Sequence, residues 1–239
     1  GTYTVGVAKN AGDQSATLYA HWTANEISLA DASFEGIYGN TFTTTPFGEA
    51  TGGTGSYSYA NVDTLPSGIT FNSANRTFTI SNTTSVNTYK ITIRATDNGS
   101  KKTTTATMTI VIKKADASVT APTVKDLVYN GTDQELVNAG SATGGTIWYK
   151  LNDGTYSTDI PKAKNAGTYT VYYKVVGDGN HNDVAEKSIS VVIKQKEVTI
   201  TWPSENTFTY DGNSKTYTAT IGEVISGDTV DFSYTNSGV

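Results

Sequence analysis

The sequence predicts an all-β protein built from tandem β-sandwich domains. Val, Ile and Tyr recur at alternate positions along many short segments, which is the spacing of strands with one buried face. Turns rich in Gly and Asn separate these segments, and no amphipathic pattern of helical length interrupts them. A turn that enters a strand through a tyrosine also recurs, at Tyr3, Tyr89 and Tyr169, which lie 86 and 80 residues apart. That interval is the length of one small sandwich domain.

The clearest of these turns lies at residues 165–171. An Asn-Ala-Gly turn leads there into an alternating strand, and Tyr169 stands at the corner. In immunoglobulin-type sandwiches a tyrosine at this place donates a hydrogen bond from its hydroxyl to upstream backbone. Residues 1–5 repeat residues 167–171 identically, and residues 86–91 are a looser copy. The sequence therefore predicts Ig-like β-sandwiches, two complete and flanked by partial units.

These repeats divide the chain into four expected segments. The first is the last hairpin of a preceding unit, the second and third are complete sandwiches, and the fourth is a partial unit that lacks its last strands. Their predicted bounds are 1–25, 26–115, 116–196 and 197–239. The junctions between the sandwiches are short, polar and free of Gly and Pro, so a stiff rod of domains is expected.

The two complete sandwiches share a second repeated sequence. Ala-Thr-Gly-Gly-Thr at 50–54 recurs at 142–146, and Tyr149 then matches Tyr57 at the same offset of 92. The tyrosine corners that follow are only 80 residues apart. The first sandwich is therefore predicted to carry about a dozen extra residues, around residues 65–74.

Composition and charge exclude several functions. The net charge is −5 and no basic stripe is present, whereas nucleic-acid binding needs a concentrated positive surface. With no cysteine, neither a disulfide nor a thiolate metal site can form. No apolar run approaches the roughly 18 residues that cross a membrane, so no membrane insertion is expected in this segment.

Three short motifs give residues 26–115 a family resemblance. They are Ala-Thr-Gly-Gly-Thr-Gly-Ser-Tyr at 50–57, Leu-Pro-Ser-Gly-Ile at 65–69 and Ala-Thr-Asp at 95–97. In this order they resemble the putative-Ig family of bacterial surface repeats. The resemblance implies an Ig-like fold and an extracellular or cell wall-associated location.

The remainder of the chain resembles related repeats. Tyr-Asn-Gly at 129–131, the corner at 165–169 and Tyr-Asp-Gly at 210–212 make residues 116–239 similar to the MBG-type Ig-like repeats of bacterial cell-surface proteins. Leu-Tyr-Ala-His-Trp at 18–22 resembles the end of a Listeria–Bacteroides repeat.

One segment has the spacing of oxygen ligands in a calcium loop. Asp-Gly-Asn-His-Asn-Asp at 178–183 places donors at positions one, three and five. However, Asp183 stands where the loop needs glycine, and Ile189 stands where it needs a bidentate glutamate. A polar hairpin turn without structural calcium is therefore expected.

Catalytic chemistry has little support in the sequence. The two histidines, His21 and His181, belong to different units, and neither lies beside a nucleophile motif. Small sandwiches without long insertions also lack the deep cleft that shifts a carboxylate pKa. We expect no enzyme activity and assign no catalytic, cofactor-binding or metal-binding residue.

Exposed aromatic rings could instead form a sugar-binding platform. The candidates are Trp22, Trp148, Trp202 and the pair at 172–173. Trp148 and Tyr169 are expected in the core, and neighbours in a strand alternate faces, so at most one of the pair points outward. The core interpretation is the stronger one.

The favoured function is a structural spacer in a bacterial cell-surface or secreted protein, of the adhesin type, whose partners are neighbouring repeats. The alternatives are a module that binds a host protein or glycan, or an accessory region of a carbohydrate-active enzyme. Because the strands missing from 197–239 are the type that residues 1–25 supply, head-to-tail self-association through these two segments is also expected.

Overall fold

The computed structural model describes residues 26–204, 207, 209, 211–213 and 218–231. The described part of the chain consists of strands, turns and irregular segments, and it contains no helix. Its contacts form two compact units. The first consists of residues 26–36, 41–84 and 88–111, and the second of residues 37–40, 85–87 and the described residues from 112 onward.

Some predictions fall outside the described residues. They concern the hairpin at 1–25 with its corner at Tyr3, and the tail at 232–239. The self-association through 1–25 and 197–239 rests largely on these segments and stays a prediction, as do the bounds of the four expected segments.

The first unit packs two sheets face to face. One sheet has four strands in the order β1-β7-β6-β3, and the other has three in the order β2-β5-β4. Their bounds are β1 (Ala32–Ile37), β2 (Phe42–Thr43), β3 (Tyr57–Asn61), β4 (Ile69–Asn72), β5 (Thr77–Ile80), β6 (Asn87–Asp97) and β7 (Thr103–Lys113).

The alternation of buried and more exposed residues along the strands defines the core of this unit. Ala106, Met108 and Ile110 of β7 are buried, and the residues between them are more exposed. Phe78 of β5 is fully buried, and its ring centroid lies 5.0 Å from that of Phe71. Burying each such ring contributes roughly 1.5–3 kcal/mol to stability.

The second unit contains a second four-stranded sheet, in the order β11-β19-β17-β15, and several two-stranded pairs. Its strands are β8 (Ala115–Asp116), β9 (Ser118–Thr120), β10 (Thr123–Val124), β11 (Leu127–Val128), β12 (Gln134–Glu135), β13 (Val137–Asn138), β14 (Ser141–Thr143), β15 (Gly145–Leu151), β16 (Lys162–Ala163), β17 (Gly167–Gly177), β18 (His181–Asn182), β19 (Val184–Lys194), β20 (Ile200–Thr201) and β21 (Thr220–Ile221). The predicted all-β, Ig-like sandwich fold is confirmed.

The extra residues of the first sandwich form strand β4. Strands β2 and β12 begin 92 residues apart, at Phe42 and Gln134, which is the offset of the repeated pentapeptide. In the first unit β4 joins the sheet of β2 and β5, whereas β12 pairs only with β16 within the described second unit. Strand β4 lies inside the predicted insertion at 65–74.

The tyrosine corner forms as predicted. The Tyr169 hydroxyl donates a 2.7 Å hydrogen bond to the backbone oxygen of Asn165, and the Tyr169 ring packs against the core.

The core prediction for Trp148 is wrong. Tyr149, which pairs with Tyr173 across β15 and β17, is only 2% exposed and takes the core position. Trp148 is half-buried on the opposite face, because neighbouring strand residues point in opposite directions.

Candidate functional site

A cleft of about 490 Å³ lies in the first unit, beside the edge strand β3. Residues 55–59 form one wall, and Ser73 and Ala74, which follow β4, lie in the other. Glu49 and Arg76 complete the lining. The cleft therefore depends on the inserted strand, because β4 is what places Ser73 and Ala74 there.

Arg76 is held in a fixed position in this cleft. Its Nε donates to the Phe47 oxygen at 3.1 Å, its Nη1 lies 2.8 Å from Glu49 Oε1, and its own oxygen accepts from the Phe47 N–H at 3.0 Å. The guanidinium carbon lies 5.9 Å from the centre of the Tyr59 ring. The Arg76 backbone has φ +57°, a left-handed conformation that costs a non-glycine residue about 1–2 kcal/mol. These contacts stabilise that strained conformation.

Strand β3 presents backbone hydrogen-bonding groups to the same cleft. The Asn98 N–H donates to the Ser56 oxygen, and the Val62 N–H donates to the Thr92 oxygen. The backbone N–H and C=O groups of the even-numbered residues of β3 therefore point toward β6. In an antiparallel ladder the alternate residues face the other way. The N–H and C=O groups of Tyr57 and Tyr59 therefore point to the open edge, since β6 is the one neighbour of β3 among the described strands.

A buried carboxylate anchors the loop at the end of the cleft. Asp97 Oδ1 accepts from Thr54 N–H at 3.0 Å and from its hydroxyl at 2.6 Å. Asp97 Oδ2 accepts from the Ser100 N–H at 2.8 Å and from the Ser100 hydroxyl. The hydrogen bonds from Ser100 and then Thr54 hold the Asp97 pKa well below its usual range, although burial opposes this shift. Asp97 therefore stays ionised and has a structural role.

The second unit carries a cluster of tyrosines and lysines on its main sheet. Lys150 Nζ lies 4.4 Å from the centre of the Tyr172 ring and 3.1 Å from Glu186 Oε2. Lys174 Nζ lies 4.2 Å from the centre of the Tyr156 ring, and the Tyr156 hydroxyl donates to Glu186. Burial, followed by this hydrogen bond to Glu186, raises the Tyr156 pKa to about 12. Lysine side chains thus already lie over the Tyr156 and Tyr172 rings, where a sugar would have to stack.

The pair at 172–173 splits between two faces as expected. Tyr173 is 7% exposed in the core, and Tyr172 lies on the other face. Trp202 is 52% exposed, while Trp22 and His21 lie outside the described residues.

The segment at 178–183 forms a polar turn around β18. Asp178 Oδ1 lies 2.7 Å from His181 Nδ1 and accepts from the Asn180 N–H, and these contacts hold the Asp178 pKa below its ordinary value. Asp183 Oδ1 accepts from the Gly177 N–H at 2.8 Å. Nowhere in the described chain do three or more His, Cys, Asp or Glu side chains form a group that could hold a metal.

Sequence reasoning missed the cleft. Glu49 and Arg76 are 27 residues apart and carry no recognisable motif. The dozen-residue insertion was the one available signal, because it indicated where the first sandwich differs from the second.

Comparisons with known proteins agree with the fold. Residues 26–113 match the family described as "Putative Ig domain", which confirms an Ig-like family for the first sandwich. The resemblances of 116–239 and of 18–22 to other repeats stay predictions. No curated protein sequence matches the chain. The described part also contains no helix long and apolar enough to cross a membrane.

Solved structures give only loose matches. The chain is 11% identical to the immunoglobulin domains 1–5 of Sidekick-1, with 76% of this chain and 43% of that one covered and a TM-score of 0.27. The chain is 17% identical to the titin domains z1z2, solved in complex with telethonin, with 74% of this chain and 100% of that one covered and a TM-score of 0.40. It is 13% identical to Drosophila N-cadherin EC1-3, with 72% of this chain and 67% of that one covered and a TM-score of 0.44. The chain thus spans less than half of the Sidekick-1 structure.

Proposed function

We propose that this chain is a non-catalytic spacer segment of a bacterial cell-surface or secreted protein of the adhesin type. It would hold a distal domain away from the cell surface. The observation that carries this proposal is the junction after the first sandwich. Strand β7 ends at Lys113 and β8 begins at Ala115, so a single residue connects them. A flexible tether would need more chain and a Gly- or Ser-rich composition.

The fold of each unit supports a mechanical role. Each unit has its own buried core, around Phe78 in the first and Val171 in the second. The long strands of each main sheet pair along much of their length, for example β17 with β19. An Ig-like family for residues 26–113 and the low share of charged residues, 16%, also fit a repeat of an extracellular protein.

Pulling single molecules of the whole chain from its two ends tests the proposal. We expect two separate unfolding events for the two sandwiches, each releasing about 300 Å, because some 90 residues extend by about 3.4 Å each. A matched variant with four Gly-Ser residues inserted after Lys114 should keep both events. In nuclear magnetic resonance relaxation, the sandwiches should tumble together in the native chain and separately in this variant. Separate tumbling in the native chain would contradict a stiff spacer.

A further inference from the structure

We propose that the cleft beside β3 in the first unit is a binding site for a neutral saccharide. This inference goes beyond the spacer role and does not depend on it. Its volume of about 490 Å³ lies within the usual range for small-ligand sites, roughly 300–1,000 Å³.

The lining offers the groups that recognise sugar hydroxyls. Three serines, Ser56, Ser58 and Ser73, line the cleft together with Glu49 and Arg76. The Ser56 hydroxyl already accepts a 3.0 Å hydrogen bond from the Asn98 side-chain amide, and its own proton remains for a further acceptor. Arg76 uses Nε and Nη1 in the contacts described above, and its Nη2 donors make no hydrogen bond within the described part of the chain. The exposed Glu49 carboxylate is a nearby acceptor. A donor and an acceptor side by side suit two neighbouring hydroxyls, and their opposite charges cancel, which favours an uncharged ligand.

The cleft is also preorganised for binding. Arg76 is clamped by backbone and ion-pair contacts in a strained conformation, which is a feature concentrated at functional sites. The hydroxyls of Tyr57 and Tyr59 bond to the backbone of Gly52 and Ala50, so both rings are fixed. Fixed side chains lose little entropy when a ligand binds.

The fold itself does not require this cleft. The second unit builds an Ig-like sandwich whose described residues have no counterpart of β4 in the pair β12 and β16. The wall made by Ser73 and Ala74 is thus an addition to the sandwich. Strand β4 packs Ile69 into the core and stacks Phe71 on Phe78, so packing accounts for the strand itself. The polar wall that follows it, with the Arg76–Glu49 ion pair, is the part that a ligand explains.

A saccharide fits the cleft better than an extended peptide does. A peptide strand could pair with the outward N–H and C=O groups of Tyr57 and Tyr59, but specific strand addition also uses pockets for alternate side chains. The facing wall offers instead the small side chains of Ser73 and Ala74 and the Arg76–Glu49 ion pair. Sugar hydroxyls can use the same backbone groups without needing such pockets.

Glycan-array and calorimetric binding of the whole chain tests this inference. The probes are neutral gluco-, manno-, galacto- and xylo-oligosaccharides, their sialylated or sulfated counterparts, and a library of extended peptides. We expect binding to a neutral oligosaccharide. Ala74→Trp, which fills the cleft, and Arg76→Gly, which keeps the left-handed backbone without the guanidinium, should each weaken that binding at least tenfold.

A control substitution of the same bulk distinguishes blocking from misfolding. Thr105→Trp places tryptophan at an exposed position of β7, outside the cleft lining, and should leave affinity unchanged. Melting midpoints of all variants show whether the fold is retained. Failure of every neutral saccharide to bind overturns the proposal, as does binding that Ala74→Trp and Arg76→Gly leave intact. Peptide binding in place of saccharide binding would reassign the cleft to strand addition.

Discussion

One tyrosine hydroxyl in each sandwich satisfies a backbone N–H nine residues upstream. Tyr59 accepts from the Ala50 N–H at 2.9 Å, and Tyr149 accepts from the Gly140 N–H at the same distance. The offset of 92 pairs Tyr149 with Tyr57, but this shared contact pairs it with Tyr59. Around these tyrosines equivalent residues therefore lie 90 positions apart, two fewer than the offset of 92 that relates the repeated pentapeptides and the starts of β2 and β12.

Replacing Tyr149 with phenylalanine should destabilise the second sandwich by about 1–3 kcal/mol, because the Gly140 N–H loses its acceptor in a part-buried position. Chemical denaturation monitored by tryptophan fluorescence measures this loss. Tyr172→Phe is the matched control, since the Tyr172 hydroxyl makes no hydrogen bond within the described part of the chain. Equal stability of the two variants would show that the Tyr149 bond contributes little.

Asp97 should make the first sandwich sensitive to acid. Its folded pKa lies below the ordinary value of about 3.9, so its stabilising contribution is complete above that pH and is lost as the pH falls below it. Asp97→Asn should lower the melting midpoint at pH 7, because an amide nitrogen then faces the donors of Thr54 or Ser100. The gap between native and variant midpoints should narrow as the pH falls from 4 to 2. A constant gap would rule out ionisation as its cause.

At the scale of elements, the loop before β3 depends on close backbone contact. Gly52 and Gly55 have nearly equal positive φ angles, +85° and +82°. A Cβ at Gly52 would lie 2.0 Å from the Glu26 backbone oxygen, whereas a Cβ at Gly55 would meet nothing within 4 Å. The two glycines thus share the same conformational strain and differ in steric space.

Gly52→Ala should therefore be more destabilising than Gly55→Ala. The Gly55 substitution should cost about 1–2 kcal/mol from the left-handed conformation alone. The Gly52 substitution should add roughly 1–3 kcal/mol, because the backbone must shift to relieve the clash. Urea denaturation of both variants separates the cost of the left-handed conformation from the cost of the steric clash. If both lose the same stability, the loop is free to move away from Glu26.

At the scale of the whole molecule, we expect the stability of the described units not to depend on a metal ion. The acidic groups of the turn around β18 already accept protein hydrogen bonds, Asp178 from Asn180 and Asp183 from Gly177. A calcium ion would have to displace these contacts and would lack the glutamate that completes such a loop.

Adding a calcium chelator should thus leave the melting midpoint of the chain unchanged, and excess calcium should not raise it. Differential scanning calorimetry with and without each reagent measures both effects. Asp178→Asn should lower stability slightly and equally in the two conditions, through its bond with His181. A rise of several degrees in calcium, absent in this variant, would show that the turn binds the ion.

The sequence alone determined the elements whose causes are local or periodic. Alternating apolar residues gave strands, and the Tyr169 corner formed because donor and acceptor are only four residues apart.

Tertiary structure decided the rest. Register placed Tyr149 in the core and Trp148 on the other face, since aromatic residues on both faces of a strand leave the pattern ambiguous. Sheet pairing buried Asp97 against Thr54, 43 residues away, and brought Arg76 to Glu49. Such long-range contacts depend on how the sheets pack, and no local pattern records that.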